Sequence, residues 1–452
     1  MSSVLESMVQ GTVLPVQGDG ELFINKPPLA LWLMRLSFEA LGPSPFAARL
    51  PSVLATAATV VVLYLFGAAV FGEAAGILAA LIFTFTPGLL LLHGIRSATP
   101  DALEILLVTL AIVCLELWRR RRQPWTFACM VASVAASAWV KSPFALAVFV
   151  AFLLATELPA RREGRGTPRF GATVALVAGV WMLAYLLWLG TLSSVIPPEM
   201  VAKRLLLGQY VRRIEGRLGE AHVQGPGYYL ATTARDFGPL LLLPVGAAVA
   251  AGFAVGKGPR PSAHDTACLL AWALAAPLLA TASASKLAWY TYLSYPGIAL
   301  LLAVSARRLA RSVTERTPVQ AALLSSILLW LGWRLPATQV WPAEAQYRGP
   351  TGRLWEIASR DPRIAVVPGA GFRLPRTRGD AYREARLFLR ILLRRSSQNP
   401  GSCRVTLVNG RREATKPGDL LELYPATRRG VGLFGVDGCG GLRGRLAAIR
   451  RG

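Results

Sequence analysis

The sequence predicts an all-α polytopic membrane bundle followed by a small C-terminal soluble α/β domain, and three observations carry that prediction. First, 53% of the 452 residues are hydrophobic and only 16% are charged, with a mean hydropathy of +0.44, which is not the composition of a soluble enzyme. Second, apolar runs of about 20 residues recur through two thirds of the chain with almost no ionisable residue inside them, the length a helix needs to cross a bilayer core. Third, from about residue 335 the apolar runs shorten and arginine becomes frequent. The net charge of +24 is spread over short Lys and Arg clusters between the apolar runs and over the tail. That distribution points to anionic lipid headgroups and phosphates as partners and away from nucleic acid.

Taken in order, residues 1–45 read as an external juxtamembrane loop rich in Gly and Pro that leads into an interfacial helix through Trp32, Arg35 and Phe38. Pro27 and Pro28 set the entry to that helix, where a missing N–H costs nothing. Ten spans follow, at about 46–71, 73–95, 99–118, 124–140, 143–158, 170–191, 227–255, 266–284, 287–306 and 318–334. Arg119 to Arg122, the four Arg of the 161–169 loop, Lys257 with Arg260, and Arg307, Arg308, Arg311 and Arg316 alternate with charge-poor connections. By the positive-inside rule those four loops are cytoplasmic. Both termini, the 192–226 loop and the tail then share the external face, the tail as an external soluble domain over 335–452.

An external N-terminus lacks an element to carry it across, because residues 1–25 hold neither a signal-peptide core nor a spanning helix. The expectation is a helix upstream of Met1; a reverse-oriented first span is the competing reading.

Charged residues at the external boundary are the candidate site. Asn25-Lys26-Pro27-Pro28 stands at the mouth of the apolar region, where Lys26 reads equally as a snorkelling cation or a phosphate ligand. In His93-Gly94-Ile95-Arg96-Ser97-Ala98-Thr99-Pro100-Asp101, Thr99 and Pro100 open a helix whose first turn carries Asp101. A carboxylate there is favourable for the helix dipole alone. Yet Arg96 and Asp101 are ionisable groups at a membrane boundary, where charge marks function. His93 reads as structural, and Glu104 and Glu116 as partners within the bundle. Lys141-Ser142-Pro143 repeats the pattern of a cation before a Pro-led helix, and Lys286 precedes an aromatic belt of Trp289, Tyr290 and Tyr292. The 192–226 loop carries Lys203, Arg204, Arg212, Arg213, Arg217, Glu215, Glu220 and His222, a functional loop or a lipid-hugging basic surface.

Cys114, Cys129 and Cys268 fall within spans as buried apolar groups. Cys403 and Cys439 lie in the tail, which in an oxidising compartment offers a disulfide that spacing does not decide.

The ordered set Lys26-Pro27-Pro28-Leu29 with Trp32-Leu33, Phe46-Ala47-Ala48-Arg49-Leu50-Pro51-Ser52, Arg96 with Pro100-Asp101, Lys141-Ser142-Pro143, Arg213, His222, Pro226 with Tyr228-Tyr229, and Ser285-Lys286 with Tyr290 and Pro296 resembles the polyprenyl-phosphate-sugar glycosyltransferases of the GT-C superfamily, of the bacterial aminoarabinose-transferase and protein-mannosyltransferase type. The likeness covers most of residues 6–306. It implies a GT-C bundle in the bacterial cytoplasmic membrane that transfers a sugar from a polyprenyl-phosphate donor to an external lipid, glycan or protein acceptor, by direct displacement at the anomeric carbon. Lys26, Arg213 and Lys286 match positions that contact the lipid phosphate, with Tyr290 or Tyr292 nearby; Asp101 matches the second external acidic position and is the catalytic candidate. Arg96, Lys141, His222 and Tyr292 complete the candidate set.

Two departures accompany the likeness. The acidic motif that supplies the usual base in such transferases would fall upstream of Met1, and Glu6 aligns with a later residue of the same loop. Asn25 stands where an acidic, metal-associated residue precedes the Lys, which argues against a divalent metal, and no other cofactor is expected. A catalytically inactive or truncated protein on the same scaffold, binding or moving polyprenyl-phosphate lipids, is the alternative to the enzyme.

Overall fold

The computed structural model describes residues 4, 7–8, 11–14, 24, 26–42, 44–91, 93–95, 97–141, 143–203, 205, 211, 215, 223–245, 262–313, 325 and 329, and four strands within 364–437. The chain divides into two compact units, one of residues 24–30 and 51–338 and the other of residues 1–23, 31–50 and 339–452.

The chain's helices turn back on one another wherever Pro, Gly or a charged cluster interrupts an apolar run; residues 31–50 of the first two belong to the other unit and the rest to the first. In chain order they are α1 (Leu29–Leu41), α2 (Pro45–Phe71), α3 (Glu73–Thr84), α4 (Pro87–Leu91), α5 (Asp101–Arg121), α6 (Pro124–Ser137), α7 (Phe144–Arg162), α8 (Phe170–Ser193), α9 (Pro198–Val201), α10 (Tyr228–Phe237), α11 (Ala263–Thr281) and α12 (Tyr295–Val313). Short 3₁₀ segments, Gly238–Leu242 and Ala288–Ser294, follow α10 and precede α12. Among the described residues, four helices are long and apolar enough to cross a membrane, over Phe46–Phe71, Phe144–Arg162, Phe170–Ser193 and Ala263–Thr281.

Three expected spans are broken where the sequence carries a breaker. The 73–95 run stops at Thr84, turns through Phe85 and Thr86, and restarts at Pro87 as one short turn, because Pro87 has no N–H to continue the ladder. The run that begins at Tyr228 ends at Phe237, where Gly238 takes φ +54° ahead of Pro239. The 287–306 run opens as a 3₁₀ segment and becomes α-helical only from Tyr295. Of the last expected span, 318–334, the described residues are Ser325 and Leu329, both helical.

Packing follows antiparallel neighbours: α5 lies on α6, α3 on α12, α7 on α11, and α11 on α12. The α2–α3 turn needs Gly72, whose φ is +94° and whose missing side chain leaves room for the Arg307 guanidinium on the Phe71 carbonyl. At the C-terminal end of α5, Arg119 is buried instead of facing a loop. It donates to Glu116 Oε1 at 2.9 Å, Thr156 Oγ1 at 2.7 Å, Glu157 Oε2 at 2.9 Å and Thr167 Oγ1 at 3.1 Å. Glu116 Oε2 meets His264 Nε2 at 2.8 Å, and Glu163 Oε1 accepts the His264 N–H at 2.9 Å. A buried guanidinium persists because two carboxylates meet its charge and each of its three nitrogens finds a partner on α5, α7 or the loop after it. The exposed loop cations there are Arg121 and Arg122.

The other unit contains a four-stranded sheet in the order β1 (Ile364–Pro368), β2 (Cys403–Asn409), β4 (Val431–Asp437), β3 (Leu421–Glu422). β1 runs parallel to β2, with Ile364 opposite Cys403, and β4 runs antiparallel to both β2 and β3, with a register irregularity between Val405 and Thr406. The apolar runs at 364–367 and 405–408 are thus strands, while the 387–393 run and Cys439 lie outside the described residues. In the same unit, Arg35 pairs with Glu39 at 2.7 Å one turn on, and Trp32 Nε1 donates to the Val13 carbonyl at 3.0 Å.

Candidate functional site

The antiparallel order of the helices brings the start of α5, the turn after α6, the start of α7 and the segment before α12 to one end of the bundle. Three features build a site there. Pro100 leads α5 and places Asp101 in its first turn. The last turn of α6 unwinds through residues 138–140, because Pro143 forbids continuation, and delivers Lys141 to the same level. The Leu29 N–H donates to the Trp139 carbonyl at 2.9 Å, which holds the Lys26-Pro27-Pro28 entrance against that turn.

Lys141 Nζ donates to Asp101 Oδ1 at 2.7 Å and lies 3.1 Å from Glu104 Oε2. Asp101 and Glu104, one turn apart on α5, are both buried, at 2% and 1% exposure. Burial works against the Lys141 charge, but the two carboxylates outweigh it and hold its ammonium above the ordinary lysine range. Lys26 lies within electrostatic range of both carboxylates. The second oxygen of Asp101 faces His93 Nδ1 at 3.1 Å. The His93 ring stacks on Trp289, with centroids 3.8 Å apart and planes 16° from parallel.

The segment before α12 carries Lys286 and the aromatic candidates. Lys286 is buried and donates to the Ser283 carbonyl at 2.6 Å, closing a tight turn. Val223 and Ser285 form an antiparallel bridge, and the Leu287 N–H donates to Tyr229 Oη at 3.2 Å, so the Tyr228-Tyr229 helix start is seated beside Lys286. Tyr290 packs on Phe144 with its ring 5.4 Å from Lys141 Nζ. Tyr292 is fully buried and its hydroxyl donates to the Gly88 carbonyl at 2.8 Å, a pin between α4 and the 3₁₀ segment.

Of the residues singled out from sequence, Asp101 and Lys141 stand in one cluster, with Lys26 at electrostatic range and Tyr290 on its edge; Lys286 and Tyr292 lie on the segment that carries Tyr290. Arg96, Arg213, His222 and Asn25 lie outside the described residues. Two residues that sequence reasoning did not promote belong here. His93 was read as structural, and nothing in its own neighbourhood of sequence announces its pairing with Asp101. Asp236 was not noticed at all: it is 1% exposed, accepts from Tyr295 Oη and meets Arg235 Nε at 3.1 Å. A Cβ on Gly88 would fall 2.1 Å from Asp236 Oδ2, so glycine is needed where α4 passes it.

Among the described residues, one group offers metal-ligand atoms close together. Glu116, His264 and Cys268 present theirs within 4.8 Å of one another, at the opposite end of α5 from Asp101. Glu116 is there committed to Arg119 and His264.

Comparisons with known proteins bear on this arrangement. Residues 25–191 match the family model of dolichyl-phosphate-mannose-protein mannosyltransferase. No curated protein matches the sequence. Among solved structures, ArnT from Cupriavidus metallidurans bound to undecaprenyl phosphate superposes with a TM-score of 0.64 at 14% identity, covering 96% of this chain and 92% of that one. The apo state of the same protein gives 0.64 at 13% identity with the same coverage. At such identities the likeness is one of fold. The chain therefore shares its fold with ArnT over nearly its whole length, and residues 25–191 carry the likeness to the mannosyltransferase family model.

Proposed function

We propose that the protein is a membrane glycosyltransferase that moves a sugar from a polyprenyl-phosphate donor to an acceptor at the external face of the cytoplasmic membrane. The observation that carries this reading is the convergence of Lys26, Lys141, Asp101 and Glu104 at one end of a bundle whose fold matches ArnT, a protein solved with undecaprenyl phosphate bound. In the reaction the bond from the anomeric carbon to phosphate breaks and negative charge grows on the departing phosphate. Lys26 and Lys286 are the side chains proposed to stabilise that charge, which a low-dielectric boundary makes worth more than in water. Arg213 and Tyr290 are proposed to complete the phosphate subsite. Lys141, already neutralised by two carboxylates, is the scaffold of the site and not its leaving-group ligand.

In this reading Asp101 acts from behind. Both its oxygens are engaged, by Lys141 and His93, and its burial keeps solvent from competing for them. Its role is to hold those two side chains in place. Anionic lipids and a lipid, glycan or protein acceptor are proposed partners.

The test is transfer, by the full chain in nanodiscs, from a panel of undecaprenyl-phosphate and dolichyl-phosphate sugars. Lys286→Ala and Lys26→Ala are each expected to lower kcat by about 10²–10³-fold, with an unaltered size-exclusion profile. Turnover at the wild-type rate in both variants would sink the phosphate assignment. Donor binding without any turnover by the unaltered chain would favour the lipid-binding alternative.

A further inference from the structure

We infer that His93 takes the proton from the acceptor, with Asp101 as its positioning residue, and that the acceptor nucleophile is consequently a hydroxyl. This rests on the glycosyl-transfer reading of the same site and adds to it the proton acceptor and the acceptor's chemical class.

Four constraints converge on one side chain. The backbone of His93 sits at φ +53°, in the left-handed region that a non-glycine residue occupies at an energetic cost. The Thr99 hydroxyl donates to its carbonyl at 3.2 Å, fixing that turn. Its ring lies flat on Trp289 at 3.8 Å, which leaves the imidazole little rotational freedom. Asp101, 2% exposed, faces Nδ1 at 3.1 Å, whereas the His93 side chain itself keeps 30% exposure. A strained, stacked and hydrogen-bonded residue that remains open to the medium is placed for use. A core histidine would be buried, and a surface histidine would be left to rotate.

The chemistry follows from the tautomer. A neutral imidazole that donates Nδ1–H to Asp101 carries its lone pair on Nε2, the arrangement of a carboxylate-oriented general base. The other titratable members of the cluster are poorly suited. Asp101 has both oxygens engaged, Glu104 is 1% exposed with one oxygen beside Lys141, and Lys141 is held protonated between them. In the step itself, the acceptor oxygen forms a bond to the anomeric carbon and the carbon–phosphate-oxygen bond breaks. Its electron pair leaves on the polyprenyl phosphate, and the acceptor's proton passes to His93 Nε2. Solvent then removes that proton. A phosphate or carboxylate acceptor arrives already ionised and gives a base nothing to do, so a built base implies an alcohol nucleophile.

The experiment uses the full chain in nanodiscs with the best donor of the panel above and two acceptor probes, octyl glucoside for a hydroxyl and octyl phosphate for an anion. His93→Gln is expected to lower kcat toward octyl glucoside by about 10²–10⁴-fold with the donor KM little changed. Asp101→Asn should lower the same kcat with the donor KM little changed, and added imidazole should not restore it. His93→Gly suits the left-handed backbone, so it should fold, and added imidazole should restore part of its rate. Wild-type kcat toward the alcohol in His93→Gln, or an equal loss toward both probes, overturns the assignment. Absence of turnover by the unaltered chain with every donor overturns the glycosyl-transfer reading, and this inference with it.

Discussion

At the scale of single residues, the cluster around Lys141 shows how much of a site depends on a shared charge. One ammonium serves two carboxylates, so removing it leaves two buried negative groups facing each other. Lys141→Met should destabilise the protein by about 3–5 kcal/mol, the range for breaking a buried pair by one partner. Glu104→Gln, which keeps the shape, should cost far less. Thermal unfolding in detergent, followed by the loss of monodisperse protein, measures both; equal losses would mean that Lys141 is not holding the carboxylates together. Legibility at this scale was uneven. Asp101 and Lys141 were visible in the sequence because an ionisable residue next to a Pro-led helix start in an apolar chain is conspicuous. His93 and Asp236 were not, because their partners, Trp289, Asp101 and Tyr295, come from distant segments and no local spacing encodes a stack or a backbone twist.

At the scale of elements, helix boundaries followed punctuation that was legible in sequence: Pro124 opens α6, Arg121 ends α5, and Gly72 closes α2 against α3. What was not legible is where an apolar run ceases to be one helix. Thr86-Pro87-Gly88 and Gly238-Pro239 look like tolerable interruptions until the structure shows chain segments packed into the gaps, Asp236 beside Gly88 among them. The buried Arg119 is the second lesson, since a cluster of four arginines reads as a cytoplasmic loop when its first member is in fact an interior tie between α5 and α7. Arg119→Ala should lower stability by about 3–5 kcal/mol, because Glu116 and Glu157 each lose their shared buried guanidinium. The readout is the midpoint of thermal aggregation, and a shift under about 2 °C would show that solvent already reaches the cluster.

At the scale of the molecule, the reading that puts the Asp101 end on the external face follows from the charge of the loops. It has a direct check in a background without native cysteines. Gly225→Cys, exposed in the loop before α10, should react with a membrane-impermeant maleimide in intact cells. Arg162→Cys, exposed at the far end of α7, should react only after the membrane is opened. The reverse pattern would turn the protein over and place the proposed transfer inside. Two of the tail's short apolar runs are strands, but their order was not legible, since the parallel pairing of β1 with β2 joins strands far apart in sequence.

The two clusters on α5 have one more consequence. Asp101 and Glu116 are fifteen residues apart, about 22 Å along a helix, and each is locked to different neighbours. Sliding α5 by a turn, or rotating it, would break both sets of ion pairs together. The helix therefore has a single vertical setting in the bilayer, and its two ends measure a fixed depth. Any opening between the helices must come from elements that move past α5, while α5 itself serves as the stationary post that sets the distance between the two charged clusters.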